Sequence, residues 1–271
     1  MLQCKYKMAN VVDANAVEPN AVDANVVEPT VSIVTITQYS RRECLANLSL
    51  LIKAQIYKNI VEWVIVEGTQ DKADSIKNTK LISEMKSVIP INFIKGCSGQ
   101  PLSNLRNSGN EACRGDIIVC MDDDDYYPPT RITHAVYMLQ KSTALIAGCS
   151  AAYIYFYSTG QFFQFKGFGK RHSINNCLAY KRAYLLNHAY APNLLKAEET
   201  SFTNGFSEPM VQLDPGKTIV ISGHATNTVD KAWMIAEQKM LTDARILNTT
   251  ILDYMPLPLL LKMEKIFEEM A

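Results

Sequence analysis

Residues 116–121, Asp-Ile-Ile-Val-Cys-Met, form an apolar run that ends in four consecutive aspartates, Asp122, Asp123, Asp124 and Asp125. No other stretch restricts the fold as much. The run suits one buried strand, and strands of this kind belong to parallel sheets covered on both faces. Four carboxylates cannot follow it into the interior unpaired, because an isolated buried charge is costly enough that the group neutralises instead. The strand must therefore end at the rim of a sheet, where the acids meet water or a cation.

The same grammar recurs upstream. Val31–Thr37 is a β-branched run, Val61–Val66 is another that closes on Glu67-Gly68, and Ile91–Ile94 is a third. Between them lie helical signals. Ser40 with Glu43 has the spacing of a capping box, and Leu45, Leu48, Leu51, Ile52 and Ile56 follow at helical intervals. A polar helix is expected over about 71–88. After a turn at Gly96–Gly99, Pro101 opens a helix to about Cys113, and another follows Pro128-Pro129 to about Gln140. Strands alternating with helices predict an α/β fold with a parallel sheet. In such sheets the ligand crevice lies beyond the carboxyl ends of the strands, which aligns Thr37, Glu67 and Asp122 on one rim.

The second half differs in kind. Ala151–Tyr157 and Gln161–Phe165 flank Ser158-Thr159-Gly160 and predict a hairpin. Strands are expected at Leu178–Tyr180 and Thr218–Ile221, with helices at Arg182–His188, from about Glu198, and over Leu257–Met270. The aromatic stretch Tyr153–Phe168 reads first as alternating strand packing, and second as a surface on which a sugar could stack.

The bulk properties exclude several classes. The chain has 27 basic and 27 acidic residues among 271, so no dominant attraction to nucleic acid is expected. Seven cysteines with no CxxC pair predict neither a disulfide framework nor a zinc site, and fit a reducing, cytoplasmic setting. No run has the length of a membrane span; Met255–Leu261 is short and holds two prolines. Residues 12–19 and 22–29 are near-duplicates, Val-Asp-Ala-Asn-Ala-Val-Glu-Pro and Val-Asp-Ala-Asn-Val-Val-Glu-Pro, acidic and without aromatic residues. They suit a flexible segment over 1–30, ahead of a main domain at 31–228 and a C-terminal helical extension at 229–271.

Adjacent carboxylates raise one another's pKa, and a divalent cation removes that conflict. Oxygen ligands suit Mg²⁺ or Mn²⁺, which a nucleoside diphosphate would share. The plainer reading is an acidic helix start ahead of Pro128.

Five segments then occur in a telling order: Thr35–Arg41, Val64–Gly68, Leu105–Gly109, Arg114–Ile118 and Met121–Asp125. Their succession resembles the GT-A fold, and within it the family 2 inverting glycosyltransferases, over about 31–228. The short chain and its Asp-Asp-Asp-Asp-Tyr-Tyr run are also similar to glycosyltransferases of large DNA viruses, which would place it in a host cytoplasm. The resemblance implies a Rossmann-like, mostly parallel sheet flanked by helices, with a small antiparallel extension on the acceptor side. It implies metal-dependent transfer of a sugar, with inversion, from a nucleotide-diphosphate donor, UDP favoured, to a glycan or glycoprotein hydroxyl. Carried over by position, Thr37, Tyr39, Arg41, Glu67, Arg106, Asp122 and Asp123 serve the donor nucleotide. Asp124, Asp125 and the late His224 hold the metal, with Asn227 and Thr228 near phosphate, and Glu199 is the catalytic base. Glu67 and Glu199 stand where the family usually has Asp. Asp123 is the hardest to place, since a shift by one residue makes Asp123 and Asp125 the working pair.

Two other classes compete. A sugar nucleotidyltransferase would show a Gly-rich basic loop after the first strand, and Thr37–Arg41 has no glycine. A non-catalytic nucleotide-sugar or carbohydrate-binding module would keep the fold without a working base.

Overall fold

The computed structural model describes residues 27–68, 72–85, 89–95, 99–225, 227 and 240–270. The acidic repeat before residue 27, residues 96–98 of the expected turn, and Thr228 lie outside them. The four apolar runs of the first half are strands β1 (Val31–Thr37), β2 (Ile60–Glu67), β3 (Ile91–Lys95) and β4 (Ile117–Cys120). They pair in parallel. The second half supplies β5 (Ile146–Gly148), β6 (Tyr153–Phe156), β7 (Gln161–Phe165), β8 (Ala179–Lys181), β9 (Met210–Gln212), β10 (Val220–Gly223) and β11 (Leu241–Asp243).

The main sheet has the order β3-β2-β1-β4-β8-β5-β9, with β8 antiparallel to both neighbours. A smaller sheet runs β10-β6-β7-β11. In it the expected hairpin β6–β7 and the β7–β11 pair are antiparallel, while β10 joins β6 in parallel. The result is the α/β architecture expected, a mostly parallel central sheet flanked by helices with a small second sheet.

Alternate residues of a strand face opposite sides, so the central strands feed two cores. Ile33, Trp63, Ile65, Val119 and Met121 pack on one side with α1 (Arg42–Lys53), α4 (Arg131–Gln140) and the C-terminal helix. Val34, Val64, Val66, Ile118 and Cys120 pack on the other with α3 (Leu102–Ala112) and the tyrosine cluster Tyr180, Tyr184 and Tyr190. Gly109 sets the second interface: a Cβ there would come within 2.7 Å of Val34 Cγ2, so α3 lies closer to the sheet than any larger residue allows. α2 (Lys72–Glu84) follows β2, and the four-residue α5 (Glu199–Phe202) follows the long excursion after β8.

Three helical expectations change, and the simplest is the helix at Arg182–His188, which is a 3₁₀ helix over Arg182–Leu186. The Ser40–Glu43 capping box does not form: a 3₁₀ turn occupies Tyr39–Arg41, Arg41 is the N-cap of α1, and Glu43 pairs with Arg42 at 2.9 Å. The turn that would have held the cap instead delivers Arg41 to the aspartates. The helix expected from Glu198 is a single turn, because Ala197 before it and Asn204, Gly205 and Phe206 after it all take positive φ.

The C-terminal helix α6 (Leu257–Met270) buries Leu260, Met263, Ile266 and Phe267 in the first core. Among the described residues no helix is long and apolar enough to cross a membrane.

Candidate active site

Register brings the acids to the rim. Val34 pairs with Cys120, so three residues further on Thr37 comes level with Asp123, and its hydroxyl donates to Asp123 Oδ2 at 2.7 Å. One layer below, Thr35 Oγ1 donates to the Met121 carbonyl at 2.7 Å and accepts from the Trp63 indole at 2.9 Å. The Asp122 N–H donates to the Tyr127 hydroxyl at 2.7 Å. The start of the acidic loop is thus pinned through the backbone of Met121 and Asp122.

The four aspartates have four different surroundings. Asp122 receives two bonds from Arg106, at 3.1 and 3.3 Å. The same guanidinium donates through Nε to Glu198 at 2.6 Å. Asn175, with its amide oxygen turned to Arg106, accepts from it at 2.6 Å. Burial opposes the charge on Arg106, but Asp122 and Glu198 hold it firmly protonated. Asp123 is closed in by Thr37 and Arg41, and burial pushes its carboxyl up to about 7 against the opposing pull of Arg41. Asp124 Oδ2 meets Arg41 at 2.8 Å, His224 Nε2 at 3.1 Å and Asn227 Nδ2 at 3.4 Å. Asp125 is tied down by two bonds: Oδ2 accepts from Asn176 at 2.5 Å and Oδ1 from the Ser222 N–H at 2.8 Å.

Asp125 acts as a splice. Tyr126 and Val220 form a bridge through two backbone bonds, and with the Ser222 contact this fixes β10 against the acidic loop. His224, one residue past β10, consequently arrives beside Asp124. Its ring stacks on Phe267 of α6, centroids 4.2 Å apart and planes 11° apart. Its backbone N–H donates to Asn227 Oδ1 at 2.9 Å.

Two clefts open on this rim. One, of about 360 Å³, is lined by Thr37, Gln38, Arg41, Gly68, Gln100, Arg106 and Asp122. The other, of about 380 Å³, contains Asp122, Asp124, Asp125, Glu198, Glu199, Asn227 and an apolar wall. Arg106 and Asp122 line both, so this ion pair is the partition between them. A larger hollow of about 640 Å³, bounded by Asp116, Lys141 and Arg182, lies on the far rim, away from the acids.

Of the donor-side residues expected from sequence, Thr37, Arg41, Arg106 and Asp122 line the first cleft. Glu67 sits under it, 1% exposed, its carboxylate accepting from Asn78 of α2. Tyr39 carries the Lys77 ammonium over its ring at 4.7 Å. Asp123 lines neither cleft. Glu199 reaches the second cleft, where burial and the Glu198 charge raise its carboxyl above the ordinary glutamate range. Sequence reasoning passed over Glu198, Asn175, Asn176 and Phe267. The Asn175-Asn176 pair, polar and just ahead of an apolar strand, was the one visible sign of buried amides with work to do.

Among the described residues no three His, Cys, Asp or Glu side chains converge on one point. The fit to a divalent cation therefore rests on two groups, Asp124 and His224. Their facing atoms are 3.1 Å apart, close enough for one ion of Mg²⁺ or Mn²⁺ type, with bonds of about 2.1 Å, to reach both. The donor set of carboxylate and imidazole fits such an ion when ligand oxygens complete its shell.

This architecture, with ligand clefts over the carboxyl ends of parallel strands and an acidic loop between them, is that of a GT-A glycosyltransferase. The chain belongs to Glycosyl transferase family 2, which it matches over residues 32–192. A search of curated proteins finds no match. Among solved structures it is similar to the mannosyltransferase PcManGT from Pyrobaculum calidifontis in complex with GDP-Man and Mn²⁺. The TM-score is 0.58 at 15% identity, covering 89% of this chain and 70% of that one. It is also similar to S. aureus TarS 1-349 in complex with UDP-GlcNAc, with a TM-score of 0.56 at 13% identity, covering 73% of this chain. The match spans 60% of that TarS chain's length. At these identities the likeness is one of fold.

Removing the partition tests its weight. Arg106→Ala leaves buried Glu198 and part-exposed Asp122 without their shared partner, and is expected to lower stability by about 3 kcal/mol in urea unfolding. A loss below about 1 kcal/mol would show that the pair is solvated and energetically minor.

Proposed function

We propose that this glycosyltransferase moves a sugar from a nucleoside diphosphate donor to an acceptor hydroxyl with inversion, in a site that takes Mn²⁺ or Mg²⁺. The observation that carries the reading is the placement of Glu199. It shares the second cleft with Asp124, and its surroundings raise its basicity. In this reading the first cleft takes the nucleoside, beside Thr37, Arg41 and Asp122. The diphosphate lies over Asp124, and the sugar enters the second cleft beyond the Arg106–Asp122 partition.

The acceptor hydroxyl approaches from the Glu199 side. As its oxygen forms a bond to the anomeric carbon, Glu199 takes the proton, and the bond from that carbon to the diphosphate breaks on the opposite face. The diphosphate leaves with both electrons of that bond. Arg41 and the Asn227 amide lie where charge develops on it. A cation held by Asp124 and His224 would neutralise part of that charge. Asp125, in the lining of the same cleft as Asp124, holds β10 in register and stays a candidate second carboxylate for the metal. UDP is the carrier to try first and GDP second, because the solved relatives hold UDP-GlcNAc and GDP-Man. A glycan or a glycoprotein is the acceptor class.

The base is tested directly. Glu199→Gln is expected to cut transfer by about 10²–10⁴-fold while donor affinity in calorimetry stays unchanged; full activity would remove Glu199 from the reaction. In the wild type the base works only when ionised, so activity falls as pH drops through its raised pKa. The acid limb of kcat/KM against pH should therefore have its midpoint above 4.5, the ordinary glutamate value. Asp124→Ala is expected to weaken Mn²⁺-dependent donor binding by about tenfold or more. Unchanged Mn²⁺ dependence would take Asp124 out of the cation site.

A further inference from the structure

Most aromatic residues of the second sheet are core, as strand packing demands: Tyr153, Tyr155, Phe156, Phe162 and Phe163 are all buried. The row does not stop there. Phe165 continues to Phe168 at 6.4 Å between centroids, Phe168 to His172 at 4.7 Å, and His172 to Phe206 at 4.5 Å. Phe168 is 52% exposed, and Phe165, Phe168 and His172 line the second cleft together with Glu199.

This ladder is built rather than incidental. Phe168 sits between Gly167 and Gly169, both at positive φ (82° and 129°), so the backbone turns out and back around one side chain. The Phe168 N–H donates to Ser150 Oγ at 2.6 Å, and the same oxygen meets His172 Nδ1 at 3.2 Å. The far rung, Phe206, has φ of +58°, a left-handed conformation that bulky side chains rarely adopt. Its N–H is held by Thr203 Oγ1 at 3.2 Å, in the turn that directly follows α5. One local unit therefore carries both Glu199 and the end of the ladder. Strain of this sort persists where the surrounding structure enforces it, and it concentrates at ligand sites.

An exposed aromatic face beside a proton acceptor suits a particular ligand. The C–H face of a pyranose ring lies flat on such a surface while its hydroxyls point to the rim. The rest of the wall, Ile174, Ile221 and Met240, is apolar, with Asn176 and Lys196 as polar points. Burial lowers the His172 pKa, so the imidazole stays neutral near pH 7 and offers no charge to a phosphate. We infer that the terminal pyranose ring of a saccharide acceptor stacks on Phe168, with His172 and Phe206 backing that aromatic ring. The inference rests on the reading of Glu199 as the base, and it adds the residue that positions the sugar whose hydroxyl the base deprotonates.

The test separates the two. Saturation-transfer NMR with methyl α- and β-pyranosides of glucose, galactose, mannose and N-acetylglucosamine reads the acceptor side. Calorimetry with UDP-GlcNAc or GDP-Man plus Mn²⁺ reads the donor side. The expected result is saturation of the C–H protons of at least one pyranoside by the wild type. Phe168→Ala should weaken that binding about tenfold with donor affinity unchanged, and Phe168→Trp should restore it. Absence of binding by every pyranoside, or equal binding by Phe168→Ala, overturns the inference while leaving the donor reading intact. Loss of donor binding in the wild type, with pyranoside binding still dependent on Phe168, overturns the donor reading and leaves the saccharide site.

Discussion

One buried guanidinium organises the rim. Arg106 lies between Asp122 and Glu198, and its fork joins the end of β4 to the residue just before α5. In a site largely closed to water, breaking such a pair costs more than making it gains, so both carboxylates are held to one geometry. Everything on either side takes its position from this: the first cleft ends at Arg106, the second begins there, and Glu199 is one peptide unit from the anchored Glu198. Arg41 does the corresponding work for Asp123 and Asp124. Four acidic side chains at this rim thus share two arginines, and the remaining acidic field favours a cation.

The second organising device is backbone register. Parallel pairing of β1 with β4 sets Thr37 level with Asp123, and the Tyr126–Val220 bridge with the Asp125–Ser222 contact sets His224 beside Asp124. The chain supplies the two halves of that pair a hundred residues apart, and α6 completes it by stacking Phe267 on the imidazole. The C-terminal helix is therefore joined to the chemistry through packing. The fold places polar groups with hydrogen bonds at strand ends, where the ladder has run out and backbone donors such as the Ser222 N–H are available.

Much of this was legible from the residues. β1 to β4 are β-branched or apolar runs with clear boundaries, and the acids had to lie past the last of them. Other features were hidden for physical reasons. β5, β9 and β11 are three residues each, too short for any periodicity to register, and pairing with longer neighbours decides their state. The capping box at Ser40 met the local rule and lost to a tertiary demand, the placing of Arg41. The aspartates read as one cluster, yet only the surroundings divide them, with Asp124 beside His224 and Asp125 bonded to Asn176. Glu198 adjoins Glu199 in sequence, but its pairing with Arg106, 92 residues away, is invisible to local spacing.

The central claim is that Asp124 and His224 share one cation with the donor's diphosphate. Pulsed electron paramagnetic resonance of the protein with Mn²⁺ and UDP reads this directly, since nitrogen and phosphorus nuclei bound near the ion each leave a hyperfine signature. The account predicts both in one spectrum, with the nitrogen coupling absent in His224→Ala. A spectrum of hydrated Mn²⁺ carrying phosphorus coupling alone, unchanged by that substitution, would contradict it.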